Sequence, residues 1–513
     1  LVGGRSSFNQ SGMYEETAGG YLTDIPQSEL TAGGLAYYIV TVDLIGNTTT
    51  SDTSSIPIDF PAGTLTTSMA NSAFPDGFPY EKWRLISLPG DIDNKTISAT
   101  ISDELGNQPS DSTWMLYRYV GPGPNNYQVA SSFALGKSYF LKRVDSEQAL
   151  NFNLGAGQSY DLTDFSITLL SRKWHFVSAP YPFPVTVAAN QTTFIGPYAY
   201  GEYGAGGQEG WSLNQVQYSF KPWGGYIIYN NTDQLQTLEI KPPGLAKGLL
   251  AKTGTEADSA CPEPCRRGWL LHLTASGERY FDAGNVIGRV GGALDGLDDW
   301  DHPEPPTTDG YISVTMDRPD WAGQRTSDIR SVETTDGVWD LALDTKGETG
   351  PITLTHRLEG EPPPAIVLVD LAARKVYRLS DGEVPGPVTD YHENFAYRLK
   401  LVAGSASYVS GTTSEILAAL PADFALAQNY PNPFNPVTTL EFTLPHPARI
   451  SLQVYDLLGR EVVTLADGWL DMGPQTVVWA GQDRRGAPAA TGIYFAVLRS
   501  VSATRTIKML LLK

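Results

Sequence analysis

Asn429-Tyr430-Pro431-Asn432-Pro433-Phe434-Asn435-Pro436, near the end of a 513-residue chain, decides how the rest is read. Three prolines in eight residues fix φ, remove backbone donors and push each preceding residue into extended conformations. The stretch cannot be helical and cannot sit inside a sheet, so it predicts a rigid extended lead-in. Six short strand patterns follow: Thr438 to Leu444, Arg449 to Tyr455, Glu461 to Leu465, Gln475 to Trp479, Ile493 to Arg499 and Thr504 to Leu512. Asp456-Leu457-Leu458-Gly459, Asp483-Arg484-Arg485-Gly486 and Thr491-Gly492 are turn signals between them. Strands and turns in this rhythm predict a small β-sandwich.

These residues also carry a resemblance. The proline-rich stretch, then Val454-Tyr455-Asp456, Gly459-Arg460, Gly492-Ile493-Tyr494 and Thr506-Ile507-Lys508-Met509, resembles the type A sorting domain of type IX secretion. That module is similar to the Ig-like domain of the flagellar hook-capping protein. The resemblance covers residues 425–513. It implies export across the outer membrane of a Gram-negative bacterium, the type IX machinery as a transient partner, and an extracellular or outer-surface location.

Composition bounds the remainder. Thirty-six Lys and Arg against 56 Asp and Glu give a net charge of −20. That excludes a general nucleic-acid or anionic-membrane binder, which needs basic patches. Gly at 51, Pro at 36 and Tyr at 26 favour strands and turns, so an all-β chain of tandem Ig-like or fibronectin-like sandwiches is expected. No run approaches the ~20 apolar residues of a transmembrane helix. The chain opens without Met or a signal peptide and reads as a processed form or a fragment. The two cysteines, Cys261 and Cys265, cannot complete a four-ligand zinc site; in an exported protein they predict a small disulfide loop, free thiols being the alternative.

Taken in order, residues 1–55 read as an incomplete Ig- or fibronectin-like module lacking its first strands, with one clear strand from Leu35 to Leu44. Such a module leaves an open edge, a template for another chain. Either a longer precursor was cut there, or a neighbouring subunit supplies the missing strand. Residues 60–155 and 156–243 are two copies of one pattern. Trp83-Arg84-Leu85-Ile86-Ser87-Leu88-Pro89 recurs as Trp174-His175-Phe176-Val177-Ser178-Ala179-Pro180, and Gly136-Lys137-Ser138-Tyr139-Phe140-Leu141 as Gly224-Gly225-Tyr226-Ile227-Ile228-Tyr229. Two tandem modules or one pseudo-symmetric domain would follow. Their aromatics, Trp211 and Trp223 among them, could stack on sugars or fill the core. Residues 244–265 read as a linker, 266–410 as a β-sandwich with an acidic loop, and 411–424 as a second linker before the terminal module.

The acidic loop Asp295-Gly296-Leu297-Asp298-Asp299-Trp300-Asp301 is the best chemical candidate. Four carboxylates so close repel, and a hard cation such as Ca²⁺ would relieve this, with Asp282 and Asn285 reaching in. The spacing departs from an EF-hand loop, and the other reading is a solvated loop whose Asp residues cap turns. No nucleophile elbow, zinc-binding helix, phosphate loop or dinucleotide fingerprint is present, so no catalytic residue is assigned and an enzyme is not expected.

The expectation is an exported structural protein, a filament or surface-layer subunit that assembles with copies of itself by strand complementation. Its last strand, with Thr506, Ile507, Met509 and Leu511, is the candidate donor. Accessory domains of a secreted hydrolase, or a carbohydrate-binding adhesin, are the alternatives.

Overall fold

The computed structural model describes residues 11, 13–17, 20–23, 25, 30–42, 45–69, 71–101, 105, 113–122, 126–144, 148–162, 165–203, 207–242, 268–316, 318–321, 323–389, 391 and 396–512. Nearly every element is a strand. Among the described residues only Ala406–Ala419 forms a helix longer than one turn. The chain is thus an all-β protein of stacked small sheets. It divides into two compact units: Leu1–Cys261 with Arg279–Gly284 and Pro305–Thr308, and Pro262–Glu278 with Asn285–Glu304 and Asp309–Lys513. The linker at 244–265, with Cys261 and Cys265, lies outside the described residues.

The first unit begins with ribbons. The expected Leu35 to Leu44 strand is broken in two: Leu35–Tyr37 pairs with Ser54–Ile56, and Val40–Val42 pairs with Thr48–Thr50. Leu35 and Ala36 are buried, Ala36 within the core of the second repeat copy, whereas Val42 and Ile45 are 63% and 86% exposed. Alternation of apolar residues suggested one strand. Among the described residues no larger sheet covers its outer face, and the chain turns back on itself as two-stranded pieces.

The repeat is built in register. Arg84–Ile86 pairs with Tyr139–Arg143, setting Ile86 opposite Tyr139 and Leu85 opposite Phe140. In the second copy Trp174–Val177 pairs with Tyr226–Asn230, setting Val177 opposite Tyr226 and Phe176 opposite Ile227. A bulge around Pro197 is the one irregularity in the adjoining strand, after which Tyr198 takes the place Tyr117 has in the first copy.

The two copies also grip each other reciprocally. Ser87 N donates to Trp223 O at 2.9 Å and its hydroxyl to Gly224 O at 2.8 Å. Ser178 N donates to Gly136 O at 3.1 Å and its hydroxyl to Lys137 O at 3.0 Å. Tyr139 and Tyr226 accept the N–H of Ala134 and Lys221, each at 2.8 Å. The pairing makes Gly136 equivalent to Trp223, one residue from the Gly136–Gly224 match read from the sequence, and both have positive φ, 72° and 66°.

Such reciprocity is a pseudo-two-fold axis, and it explains the glycine at 225. Ser138 and Gly225 are equivalent residues meeting across that axis, and a Cβ at 225 would collide with Ser138 Cβ. Each main sheet is consequently buried on both faces. One face packs on its own second sheet, the other on the opposite copy through Trp83, Leu85, Phe140, Phe176, Ile227 and Tyr229.

The second unit opens with a sandwich. Its four-stranded sheet runs Ser327–Ser331, Phe281–Val290, Gly268–Ser276, Thr353–Gly360. Its five-stranded sheet runs Tyr311–Met316, Gly337–Lys346, Tyr397–Gly404, Ala365–Asp370, Lys375–Arg378. Strict in–out alternation along Gly268–Ser276 marks one face as core. Residues 411–424, expected as a linker, are mostly the Ala406–Ala419 helix. Its Gly, Ser and Thr content is poor for helix, but Ser405 Oγ caps Tyr408 N, and Val409, Ile416 and Leu417 pack on Val367, Val369 and Val402.

The terminal sandwich closes the unit. A three-stranded sheet of Ala425–Leu426, Thr438–Leu444 and Gly473–Trp479 faces a four-stranded one ordered Glu461–Leu470, Ala448–Asp456, Gly492–Ser500, Thr504–Leu511. Leu440, Leu452, Ala496, Leu498 and Met509 fill the space between them at 0% exposure.

Three substitutions test the pseudo-symmetry. Ser87→Ala and Ser178→Ala should each lower the stability of the first unit by about 1 kcal/mol and by similar amounts, since each removes the same buried bond. Gly225→Val should cost ~1–3 kcal/mol by overpacking the axis. Urea midpoints of the full chain measure all three; a silent Ser178→Ala beside a costly Ser87→Ala would refute the symmetry argument.

Candidate functional site

The motifs of the terminal sandwich, scattered through the sequence, come together at one end of it. The proline-rich segment lies there as a strap across the outer edge of the last strand. Phe434 is its anchor: the ring is 2% exposed and sits 5.4 Å from Trp479, which lies 5.2 Å from Tyr494. Phe434 N donates to Leu510 O at 3.0 Å, and Leu512 N to Phe434 O at 2.9 Å. The segment was expected outside any sheet. It remains at the edge, where proline is tolerated, but contributes two isolated bridges, the parallel Phe434–Leu511 and the antiparallel Tyr430–Thr439.

Buried Asn429 holds the strap's shape by donating to Pro431 O at 3.0 Å and Thr438 Oγ1 at 2.8 Å. Thr438 Oγ1 donates in turn to Pro431 O at 2.9 Å. Tyr430 exchanges two backbone bonds with Thr439, leaving its ring 82% exposed. Asn432 donates to Lys508 O at 3.2 Å and accepts from Leu510 N at 2.9 Å. Pro431, Pro433, Asn435 and Pro436 face solvent. Gln428, one residue before the motif, also donates to Lys508 O, at 2.8 Å. Sequence reading missed it, because a glutamine in a loop gives no signal until its acceptor 80 residues away is placed beside it.

Two turns of one design occur in the same sandwich. Asp456 Oδ1 accepts from Leu458 N and Arg460 N, and Asp483 Oδ1 accepts from Arg485 N and Ala487 N. Gly459 and Gly486 supply the left-handed residue each turn requires, at φ 73° and 77°. The backbone N–H and guanidinium of Arg460 help to hold the Asp456 carboxyl below the usual carboxylate range. Leu457 and Leu458 stand exposed at one turn tip, 64% and 76%.

The last strand, expected as a donor to another subunit, instead completes its own sandwich. It pairs with Gly492–Ser500 along its whole length. Met509 and Leu511 are 0% and 1% exposed, Ile507 is half-buried, and only Thr506 faces out. Removing the strand would uncover this core, so it is not a free arm.

The acidic loop is differently made from the expectation. Asp298 accepts from Leu294 N at 2.6 Å and Trp300 N at 2.8 Å. Buried Asp301 accepts from Asp298 N and Ile329 N, both at 3.0 Å. Asp295 accepts from Ser331 N at 3.2 Å and from the Arg289 guanidinium at 3.3 Å. Arg318 donates to Asp295 O, and Arg330 forks onto Asp328. Of the four loop aspartates, Asp295 thus meets an arginine from elsewhere in the sequence, whereas Asp298 and Asp301 accept backbone N–H groups. Asp299 is exposed. Asp282 and Asn285 are buried on the Phe281–Val290 strand, where the Asn285 amide donates to Leu273 O. Among the described residues no three His, Cys, Asp or Glu side chains are arranged to hold a metal ion.

Of the two readings of the aromatics, core filling is the one Trp211 and Trp223 follow. Trp223 is 0% and Trp211 9% exposed, and their indole N–H groups donate to Thr66 O and Pro306 O. Both are core residues with no face for a sugar.

Comparison with protein-family models and with curated proteins gives no match. Among solved structures, PorZ, an essential bacterial surface component of the type-IX secretion system of Porphyromonas gingivalis, aligns at 16% identity. The alignment covers 34% of this chain and 21% of PorZ, with a TM-score of 0.15. Dimeric latent PorU from Porphyromonas gingivalis aligns at 10% identity over 78% of this chain and 46% of PorU, with a TM-score of 0.16. The chain therefore spans less than half the length of either, and similarity at this level carries no argument about fold or activity.

Two measurements follow from the loop. Burial pushes the Asp301 carboxyl up to about 7, against the pull of its two N–H donors, and burial beside Arg325 pushes His302 down to about 4. The Asp301 contribution is fully present below its ordinary value of 3.8 and is lost as pH rises through 7. The His302 contribution is present above 6.5 and lost as pH falls through 4. Asp301→Asn should therefore make stability fall more steeply between pH 7 and pH 4, leaving His302 unopposed; an unchanged slope in urea midpoints contradicts this. If calcium binds the loop, melting in EDTA lowers the midpoint. A fixed midpoint leaves the loop an arginine-paired structural element.

Proposed function

We propose that the chain is an exported extracellular structural protein whose terminal sandwich, residues 425–513, is its type IX export address. One observation carries this reading: the proline-rich strap, Asp456, Gly459-Arg460, Gly492-Ile493-Tyr494 and the last strand, separated in sequence, form one end of one sandwich. An end built from every motif of the resemblance is a surface that a secretion receptor can read as a unit. The β units before it are cargo, and with no catalytic motif their role is architectural.

A filament or surface-layer subunit is the form of that role favoured by the exposed ribbons at residues 35–56, whose strand edges and apolar Val40, Val42 and Ile45 suit pairing with another copy. Donation of the last strand is not part of this proposal, since that strand fills its own core.

Deleting residues 425–513 from the protein, expressed in a Gram-negative host with type IX secretion, should trap it inside the outer membrane. Phe434→Ala, which empties the strap's anchor, should sharply reduce release. Export undiminished by the deletion overturns the address. Electron microscopy of the native material bears on the architecture separately: regular filaments support a polymer subunit, whereas isolated short rods favour accessory domains of a secreted hydrolase.

A further inference from the structure

The two repeat copies match in backbone but differ in what covers them. Phe140 lies opposite Tyr117 and its counterpart Ile227 opposite Tyr198, so two residues further on Tyr119 matches Tyr200. Across each hairpin Tyr119 pairs with Tyr127 and Tyr200 with Trp211, which makes Tyr127 the counterpart of Trp211. The ring pairs agree, with centroids 5.7 Å apart in the first copy and 5.1 Å in the second.

In the second copy this hairpin is covered. Glu209 N donates to Arg279 O at 2.8 Å, and Tyr280 forms a parallel bridge with Glu209. The Trp211 indole donates to Pro306 O at 3.1 Å, and the Tyr200 hydroxyl lies 3.3 Å from Thr308 Oγ1. Two segments from later in the chain, both within the first unit, thus close the edge and the aromatic pair.

The first copy has no such cover among the described residues. Tyr127–Val129 is the end strand of its sheet. Asn126 O and Ala130 N bond inward, to Val120 N and Leu116 O, so Tyr127 and Val129 turn their backbone groups outward. Val129 is 61% exposed, and the Tyr127 hydroxyl is buried with no hydrogen-bond partner.

Charge defines the strand that fits. Residues 112–144 hold Arg118, Lys137, Lys142 and Arg143 and no Asp or Glu, within a chain of net charge −20. Arg118 donates to Gln128 Oε1 at 2.8 Å, which sets its guanidinium over the outermost strand. A twin strand from a second copy would bring a second Arg118 against the first, and like charges across strands repel. An acidic strand meets the opposite sign.

We propose that the Tyr127–Val129 edge is a docking site for an extended, carboxylate-bearing strand of another protein, which joins the sheet through its backbone and sets its acidic side chains against Arg118.

Fluorescence polarisation with the full chain tests this, using a labelled peptide that alternates Glu with Thr and Val, and its counterpart with Lys for Glu. The acidic peptide should bind saturably and the basic one should not. Val129→Pro removes an outward N–H at an edge where proline is tolerated, and should abolish binding. Arg118→Glu should weaken it about tenfold. Absence of saturable binding by the acidic peptide overturns the proposal, as does equal binding of the two peptides. Where Val129→Pro fails to fold, Arg118→Glu decides, and an unchanged affinity refutes the site. Sedimentation velocity of the peptide-free chain separates the remaining occupant: a dimer that Val129→Pro abolishes would put a second copy at this edge, against the proposal.

Discussion

Strand edges are the constraint on which this molecule turns. A chain made almost wholly of short strands carries many outward N–H and C=O groups, and each must find a partner or stay wet. Three answers occur along the sequence. The repeat copies use each other: Ser87 and Ser178 carry each copy's strand end onto the glycine-led strand of the other. The terminal sandwich uses a side-chain strap. In the ribbons of residues 35–56, Leu35 and Ala36 are buried, while Val40, Val42 and Ile45 are exposed.

The pseudo-two-fold arrangement accounts for features that single modules would not need. A sheet buried on both faces requires apolar residues at consecutive positions, and Tyr226–Asn230 is buried throughout. The same arrangement explains why tryptophans that looked ready for a ligand are closed off. Aromatic side chains bury large area, and two sheets meeting face to face need that volume between them. At the axis itself only one of two equivalent residues can carry a side chain, which leaves Ser138 opposite Gly225.

Charge follows a similar logic in the acidic loop. Its aspartates accept backbone N–H groups that would otherwise be orphaned where the loop meets the Ser327–Ser331 strand. Arg289 and Arg330 sit on opposite strands and stack on Trp339, 5.4 and 4.5 Å from its ring. Carboxylates held this way serve the loop's shape: buried Asp301 by two backbone N–H donors, and Asp295 by Ser331 N and the Arg289 guanidinium.

Much of this was legible from sequence, for local reasons. Prolines and glycines act on their own φ and on the next residue, so the strap's extended form and the two aspartate–glycine turns could be read directly. Strand and turn patterning located Thr438–Leu444 at its observed bounds. Matching copies revealed the repeat. What sequence alone could not decide was which face each strand would hide and what would lie against it. Whether Trp223 stacks on a sugar or fills a core, and whether Asp295 meets a cation or Arg289, depends on residues brought close only by folding. The helix at Ala406–Ala419 exists because three valines on a sheet face reward it, and the last strand stays home because its own core holds Met509 and Leu511. Hydrogen bonds and burial act over ångströms in space, whatever the separation along the chain, and that distance is what the tertiary structure supplied.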